Sequence, residues 1–394
     1  MSQFDTILNR EETRSIKLEY RERLYGSSDV IPLWVADMDF AAPPAVQEAI
    51  VNRTKHPIYG YTNRPKPFFE AIQNWLSRRF NWEVDQSWIE FSPGVVPNLG
   101  LAVQAFTKPG EGVIIQPPVY PPFFGVVKDF DREVVENPLI EQQEGYYVMD
   151  YDHLEEVASK PENKLLLLCH PHNPVGRVWT TEELIRMGEI CKKHNVIIIS
   201  DEIHCDLVLY GNKHIPLATI SPELAEITLT CMAPSKTFNL AGFSTSYMIS
   251  SNPDLLKAAR AQVMGYHLHM GNTFGALALE AAYNHSEYWL EELIDYIEGN
   301  MDFVTDFIKT EMPEVKARKP EATYLLWMDF RSWKMKSTEL KNFMVNEAGL
   351  GLNDGVTFGK EGRGFMRMNL ASPRSVIEKA MTQMKSARDR MQKV

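Results

Sequence analysis

The stretch Ala233-Pro234-Ser235-Lys236-Thr237-Phe238-Asn239-Leu240-Ala241-Gly242 decides how this chain is read. It follows an apolar run over residues 227–232 and places a lysine where that run stops. Two other apolar runs end in the same manner. Residues 164–169 lead into His170-Pro171-His172-Asn173-Pro174, and residues 196–200 into Asp201-Glu202-Ile203-His204. Short continuous apolar runs between helical stretches read as parallel strands buried on both faces. Ligands of open α/β sheets sit just beyond the carboxyl ends of the strands. The sequence therefore predicts an α/β fold in which Asn173, Asp201 and Lys236 converge on one crevice.

Working outward, 394 residues suffice for a large core and two domains. A hydrophobic content of 44% and a charged content of 24% are ordinary for a soluble globular protein. The net charge of −11 argues against a general nucleic-acid or anionic-membrane surface, so an anionic ligand needs a local positive pocket. Cys169, Cys191, Cys205 and Cys231 are unevenly spaced and contain no CxxC pair, which indicates neither a disulfide framework nor a metal site. Residues 1–10 lack the charged-then-apolar pattern of a secretory leader, and no apolar run approaches a membrane span. A cytoplasmic location is the expectation.

Taken in order, residues 2–26 are charged and weakly periodic, and read as an arm or surface helix. Pro43-Pro44 suits the start of a helix over 45–54, and Phe68, Ile72, Trp75 and Leu76 have helical spacing within 67–80. Tyr59-Gly60-Tyr61-Thr62 is an aromatic loop between them. Gly94 precedes a helix running to about residue 107, where backbone N–H groups could meet a phosphate. That signal is weak alone, and no P-loop or dinucleotide fingerprint accompanies it. A strand over 113–116 ends at a loop with four prolines, which would hold Tyr120 in place. Strands and helices then alternate over 151–250. Helices over 252–260 and 274–283 flank a loop, 264–272, and a long helix with Trp289, Leu293 and Ile297 opens a second domain. Residues 322–330 and 364–370 are its expected strands, and a helix from Ser375 to the C-terminus closes it.

The chemistry of these positions is specific only in combination. Lys236 can form an imine with an aldehyde cofactor and later act as a base, although a lysine after a strand is most often simply exposed. Asp201, at the end of a buried strand, needs a partner. A protonated pyridine nitrogen would serve, and so would a helix cap or a salt bridge. Asn173-Pro174-Val175-Gly176 is by itself a turn signature. Arg367 lies between apolar residues on an expected strand, a placement that suggests a partly buried fork for a carboxylate; Arg363 and Arg374 are its rivals.

In this order, Asn173-Pro174-x-Gly176, Asp201-Glu202-Ile203 and Ser235-Lys236-Thr237-Phe238 resemble the three signature blocks of fold-type I pyridoxal-phosphate enzymes, the aspartate aminotransferase superfamily. Val35-Ala36-Asp37-Met38-Asp39-Phe40, Pro118-Val119-Tyr120 and Ser200-Asp201-Glu202-Ile203-His204 are similar to the MalY/PatB-type carbon–sulfur lyases, the cystathionine β-lyase and cystalysin-like subgroup. The resemblance runs from about residue 30 onward. It implies a large, doubly wound, mostly parallel seven-stranded sheet domain plus a smaller C-terminal α/β domain. Residues 1–44 would form an arm and part of the small domain, 45–284 the cofactor-binding domain, and 285–394 the small domain.

The resemblance also implies roles. Lys236 would carry the imine to pyridoxal 5'-phosphate, Asp201 would pair with the ring nitrogen, and Asn173 with the ring hydroxyl. Tyr120 would stack on the ring, His204 would stand beside it, and Gly94, Val95, Val96 and Ser235 would hold the phosphate. Tyr61 would reach the phosphate of a neighbouring subunit, implying a homodimer with shared sites. Arg367, with Ala36 and Asp37, would bind the substrate. The implied reaction is β-elimination of L-cystathionine, L-cysteine or another S-substituted cysteine to a thiol or sulfide, pyruvate and ammonia. The alternatives are an aminotransferase on the same fold, and a protein that keeps the pocket but regulates through a protein partner. A nicotinamide-dependent dehydrogenase would need a glycine fingerprint that is absent.

Overall fold

The register of three neighbouring strands sets the geometry of this molecule, whose computed structural model describes residues 2–392. The main sheet contains β1 (Ile89–Ser92), β2 (Gly112–Ile115), β3 (Glu133–Glu136), β4 (Asn163–Cys169), β5 (Ile197–Asp201), β6 (Thr228–Met232) and β7 (Ser246–Ile249). Their spatial order is β1-β7-β6-β5-β4-β2-β3. Only β7 runs antiparallel to its neighbours. This is the mostly parallel, seven-stranded sheet expected for the fold.

These strands read as apolar runs because both of their faces are covered. Leu165, Leu167 and Cys169 pack with Val113, Ile115 and Ile199, whereas Leu166 and Leu168 pack with Ile114 and Ile198 on the opposite face. Successive strand side chains point to opposite sides, so each run feeds two cores. Full burial of each leucine contributes roughly 1.5–3 kcal/mol. In register, Cys169 lies opposite Asp201, and Asp201 opposite Cys231. The chain therefore leaves β4, β5 and β6 at one edge, bringing Asn173, Asp201 and Lys236 together.

The expected helices form at Pro44–Thr54, Lys66–Phe80 and Val95–Phe106, the first two with proline in their opening positions. Between β5 and β6 the expected alternation is kept by only a short helix. That connection holds only a short turn, Leu217–Thr219, and a five-residue helix, Pro222–Glu226. A buried carboxylate organises it. Glu202 accepts from Ser200 Oγ at 2.7 Å and from the Leu217 amide at 3.2 Å, and it pairs with His214 at 2.7 Å.

A second sheet contains β8 (Lys316–Ala317), β9 (Leu325–Asp329), β10 (Asn353–Asp354) and β11 (Phe365–Asn369), antiparallel in the order β8-β9-β11-β10. The 25-residue helix Glu287–Glu311 precedes it and Arg374–Met391 closes it. Met1 and the last two residues, to which the expected closing helix extended, lie outside the described residues. Gly176 links the two sheets. Its φ of +71° and the approach of Pro320, which a Cβ would strike, both require glycine there.

The N-terminal stretch is largely exposed, as an arm on the surface would be, but two of its side chains reach the interior. Only short helices form, at Ile16–Glu19 and Arg21–Tyr25, and Phe4 and Lys17 are buried. Phe4 packs edge-on against Phe40 and Trp289, which anchors the arm to the core. Among the described residues, no helix is long and apolar enough to cross a membrane.

Candidate active site

A cavity of about 210 Å³ opens at the carboxyl ends of β4, β5 and β6. Tyr120, Asn173, Asp201, His204, Ser235 and Lys236 line it. Gly94, Val95 and Val96 close one end, at the start of the helix Val95–Phe106, and Ala36 lies on its wall. The structure thus brings together most of the residues that the sequence singled out.

Electrostatics within the cavity are dominated by burial. The Lys236 amine donates to the Ala36 carbonyl at 2.6 Å. Burial, reinforced by the positive charge of Arg367, lowers its pKa to about 8 against the pull of Asp37 and Asp201. Asp201 accepts from the Ile203 amide at 3.2 Å. Burial pushes its carboxyl up to about 7, although that amide and Lys236 oppose the shift. Among the described residues no cation forms an ion pair with it, so it is a buried acid lacking its counter-charge. Burial, with Lys236 and Arg367 nearby, lowers His204 to about 3 and keeps its imidazole neutral. Burial also raises the Tyr120 phenol.

Arg367 projects from β11 and is 3% exposed, more buried than its sequence context suggests. Nη1 donates to Asn173 Oδ1 at 2.9 Å, and Nη2 to the Trp34 carbonyl at 2.8 Å and Asn353 Oδ1 at 2.5 Å. Its rivals lie elsewhere. Arg363 is exposed, and Arg374 donates to Asn300 Oδ1 at 2.7 Å. Three expected residues are not part of the cavity lining: Arg367 meets it through Asn173, and two others stay away from it. Asp37 turns its carboxylate to Arg10 and Lys17, and Tyr61 is 96% exposed on its loop.

A sequence profile described as aminotransferase class I and II matches residues 28–383. The chain belongs to that family. Within the aminotransferase class I and II family it is similar to cystathionine beta-lyase PatB of Bacillus subtilis (strain 168), 44% identical over 98% of this chain and 99% of that protein. It is also similar to protein MalY of Escherichia coli (strain K12), 32% identical over 97% of each. Cystalysin from Treponema denticola, a structure that contains a pyridoxal 5'-phosphate cofactor, superposes with a TM-score of 0.96 at 37% identity, covering 99% of this chain and 100% of that one.

Several residues at this family member's cavity were not singled out from the sequence. Ser244 and Thr245 line the cavity just after the lysine stretch, with Ser244 in a left-handed conformation at φ 46°. Asn239 and Asn369 strap the irregular wall segment 34–40 by accepting from or donating to its backbone. Spacing offered a signal for both. Asn239 lies one turn past Lys236, and Asn369 shares the strand face of Arg367 two residues earlier. Tyr324, whose hydroxyl donates to the Ala36 carbonyl at 3.1 Å, had no local signal at all.

Proposed function

We propose that the chain is a pyridoxal-phosphate-dependent carbon–sulfur β-lyase. Its substrates are L-cystathionine, L-cysteine or related S-substituted cysteines together with one water, and its products a thiol or sulfide, pyruvate and ammonia. The observation that carries this reading is the convergence at one cavity of a lysine amine whose pKa is lowered to about 8, an unpaired buried carboxylate and Asn173, which Arg367 backs. The 44% identity to a cystathionine beta-lyase supports elimination over transamination.

The residues present fit the cofactor. Asp201 lacks a cation and would hold the proton on a pyridine nitrogen. With its oxygen taken by Arg367, Asn173 keeps Nδ2 as a donor for the ring hydroxyl. Tyr120 offers a ring to stack on, and neutral His204 a nitrogen beside it. The Gly94, Val95 and Val96 backbone and Ser235 would hold the phosphate at a helix N-terminus. Bound pyridoxal phosphate supplies the electron sink for the pair left when Cα is deprotonated. Lys236 anchors the cofactor between turnovers and takes the Cα proton. The ammonium so formed can return a proton to the departing sulfur. Arg367 receives the substrate carboxylate as a planar fork, with Ala36 at the same end.

The proposed assembly is a homodimer. Tyr61, Tyr59 and Ile58 expose 96%, 55% and 67% of their surface on one loop. A second copy would cover that loop and receive Tyr61 at its phosphate end. The proposed division is an arm with part of the small domain over 1–44, the cofactor-binding domain over 45–284 and the small domain over 285–394. The four cysteines are free and buried, which suits a reducing cytoplasm.

The test is thiol release. Purified, cofactor-loaded protein is mixed with L-cystathionine or L-cysteine, and free thiol or sulfide is followed with a colorimetric reagent. Continuous release from either, lost in Lys236→Ala, is the expected result. Amino transfer to a keto acid without thiol release would make the chain an aminotransferase instead.

A further inference from the structure

Residues 34–40 form no helix or strand, yet they supply a wall of the cavity. Their carbonyls are held by side chains from the site's own elements. Arg367 donates to Trp34 O at 2.8 Å, and Asn369 to Val35 O at 2.7 Å and Asp37 O at 2.6 Å. Lys236 and Tyr324 share Ala36 O. Asn239 donates to Met38 O at 3.1 Å and Phe40 O at 2.9 Å.

The two carboxylates of this segment meet two cations from the N-terminal stretch. Arg10 places Nη2 2.8 Å from Asp37 Oδ2 and Nη1 2.7 Å from Asp39 Oδ1. Lys17 lies 2.7 Å from Asp39 Oδ2 but 3.5 Å from Asp37 Oδ1, with its side chain fully buried. Arg10 is the cation that bridges both aspartates closely, and its fork also donates to Ser15 Oγ and Met38 O at 2.8 and 3.2 Å. The four charges cancel as a unit. Removing one cation from such a cluster leaves a poorly solvated anion behind.

We propose that Arg10 is a positioning residue for the reaction at Lys236: it closes the Asp37–Asp39 pair, steadies the wall segment whose Ala36 carbonyl accepts from the lysine amine, and neutralises Asp37, whose charge acts on that amine. The proposal rests on reading Lys236 as the reacting lysine. The charged groups that act on that amine are Arg367, Asp37 and Asp201, with neutral His204 also on the cavity wall. Of these, Asp37 alone is governed by Arg10. Without Arg10, Asp37 keeps only the long contact to Lys17. Its charge then acts more strongly on the amine, which becomes more basic, and the loosened segment holds Arg367 less firmly through the Trp34 carbonyl. Arg10 acts through other groups and touches no reacting atom.

The test compares wild type, Arg10→Gln and Arg10→Lys as full-length chains. Each apoprotein is titrated with pyridoxal phosphate across a pH series, and uptake is followed by absorbance. Arg10→Gln is expected to shift the pH midpoint of uptake upward by about half a unit or more, since an unscreened nearby anion favours the protonated amine. Arg10→Lys restores the charge without the fork, and is expected to return the midpoint to the wild-type value. In holoenzyme kinetics with L-cystathionine, KM should rise roughly 3- to 10-fold in Arg10→Gln, with kcat within about twofold of wild type. The KM of Arg10→Lys should fall between the two. A folded Arg10→Gln with an unchanged pH midpoint overturns the proposal. If Arg10→Gln does not fold, Arg10→Lys decides alone, and a KM equal to wild type overturns it. Cofactor uptake needs no substrate, so a protein that binds cofactor but cleaves nothing refutes the lyase reading while the pH midpoint still judges Arg10.

Discussion

Arg367 Nη1 donates to the side-chain oxygen of Asn173 at 2.9 Å, across 194 residues of sequence. The contact joins β11 of the small sheet to the turn after β4 of the main sheet. It fixes the Asn173 amide with Nδ2 free and holds the guanidinium at the cavity. The groups assigned to the cofactor hydroxyl and the substrate carboxylate are therefore one mechanical unit.

Arg367→Lys should raise KM more than it lowers kcat. A lysine cannot reproduce the planar fork, and the loss is expected to weaken substrate binding by roughly 10- to 100-fold. Steady-state kinetics with L-cystathionine check this. A double-mutant cycle with Asn173→Ala should show coupling of about 0.5–3 kcal/mol, because the two side chains are in contact.

Lys236→Ala should abolish turnover, with a loss of about 10³-fold or more, because one group serves as both anchor and base. Borohydride reduction of the loaded protein followed by mass spectrometry provides a direct check. Wild type should retain a cofactor-sized mass increment on Lys236, and the variant none.

The Lys236 amine has its pKa lowered to about 8, so it is protonated below that pH and free above it. Uptake of pyridoxal phosphate by the apoprotein should therefore rise as pH increases through about 8 and then level off. A titration followed by absorbance measures the midpoint.

Asp201 sets function against stability. Burial raises its folded pKa to about 7, well above the ordinary carboxylate range. Its contribution is complete at acid pH and is lost as pH rises through about 7. Asp201→Asn should therefore stabilise the apoprotein at alkaline pH by roughly 1–3 kcal/mol. The same change should lower kcat by about 100-fold or more, since the ring nitrogen loses its counter-ion. Thermal melts at two pH values and a rate assay test both halves.

Mixing Lys236→Ala with Tyr61→Ala subunits tests the shared site. Neither variant alone should be active. Subunit exchange creates hybrids with one intact site, so activity should recover to about a quarter of wild type if dimers re-form at random. No recovery despite verified exchange would place Tyr61 outside the partner's site.

Much of this was legible in the sequence because the decisive segments are local and doubly buried. β4, β5 and β6 announce themselves as apolar runs, and their shared register makes the residues that follow them converge. The illegible parts depend on contacts distant in sequence. Nothing near Asp37 signals that its carboxylate meets Arg10 and Lys17, because an ion pair closed by tertiary folding leaves no periodic trace. The two-residue strands β8 and β10 are too short to show alternation. Residues 202–221 looked like part of an alternating pattern, but buried Glu202 organises them through its side chain. Arg367 was visible as a candidate, whereas its full burial follows from Asn173, Trp34 and Asn353 closing over it.

The central claim is tested most directly by counting pyruvate. Cofactor-loaded protein is mixed with excess L-cystathionine and no keto acid, and pyruvate per active site is measured over time. The account predicts steady production well beyond one equivalent, with the absorbance of bound cofactor maintained. Production that stops at or below one equivalent, with cofactor absorbance lost and then restored by a keto acid, would contradict it.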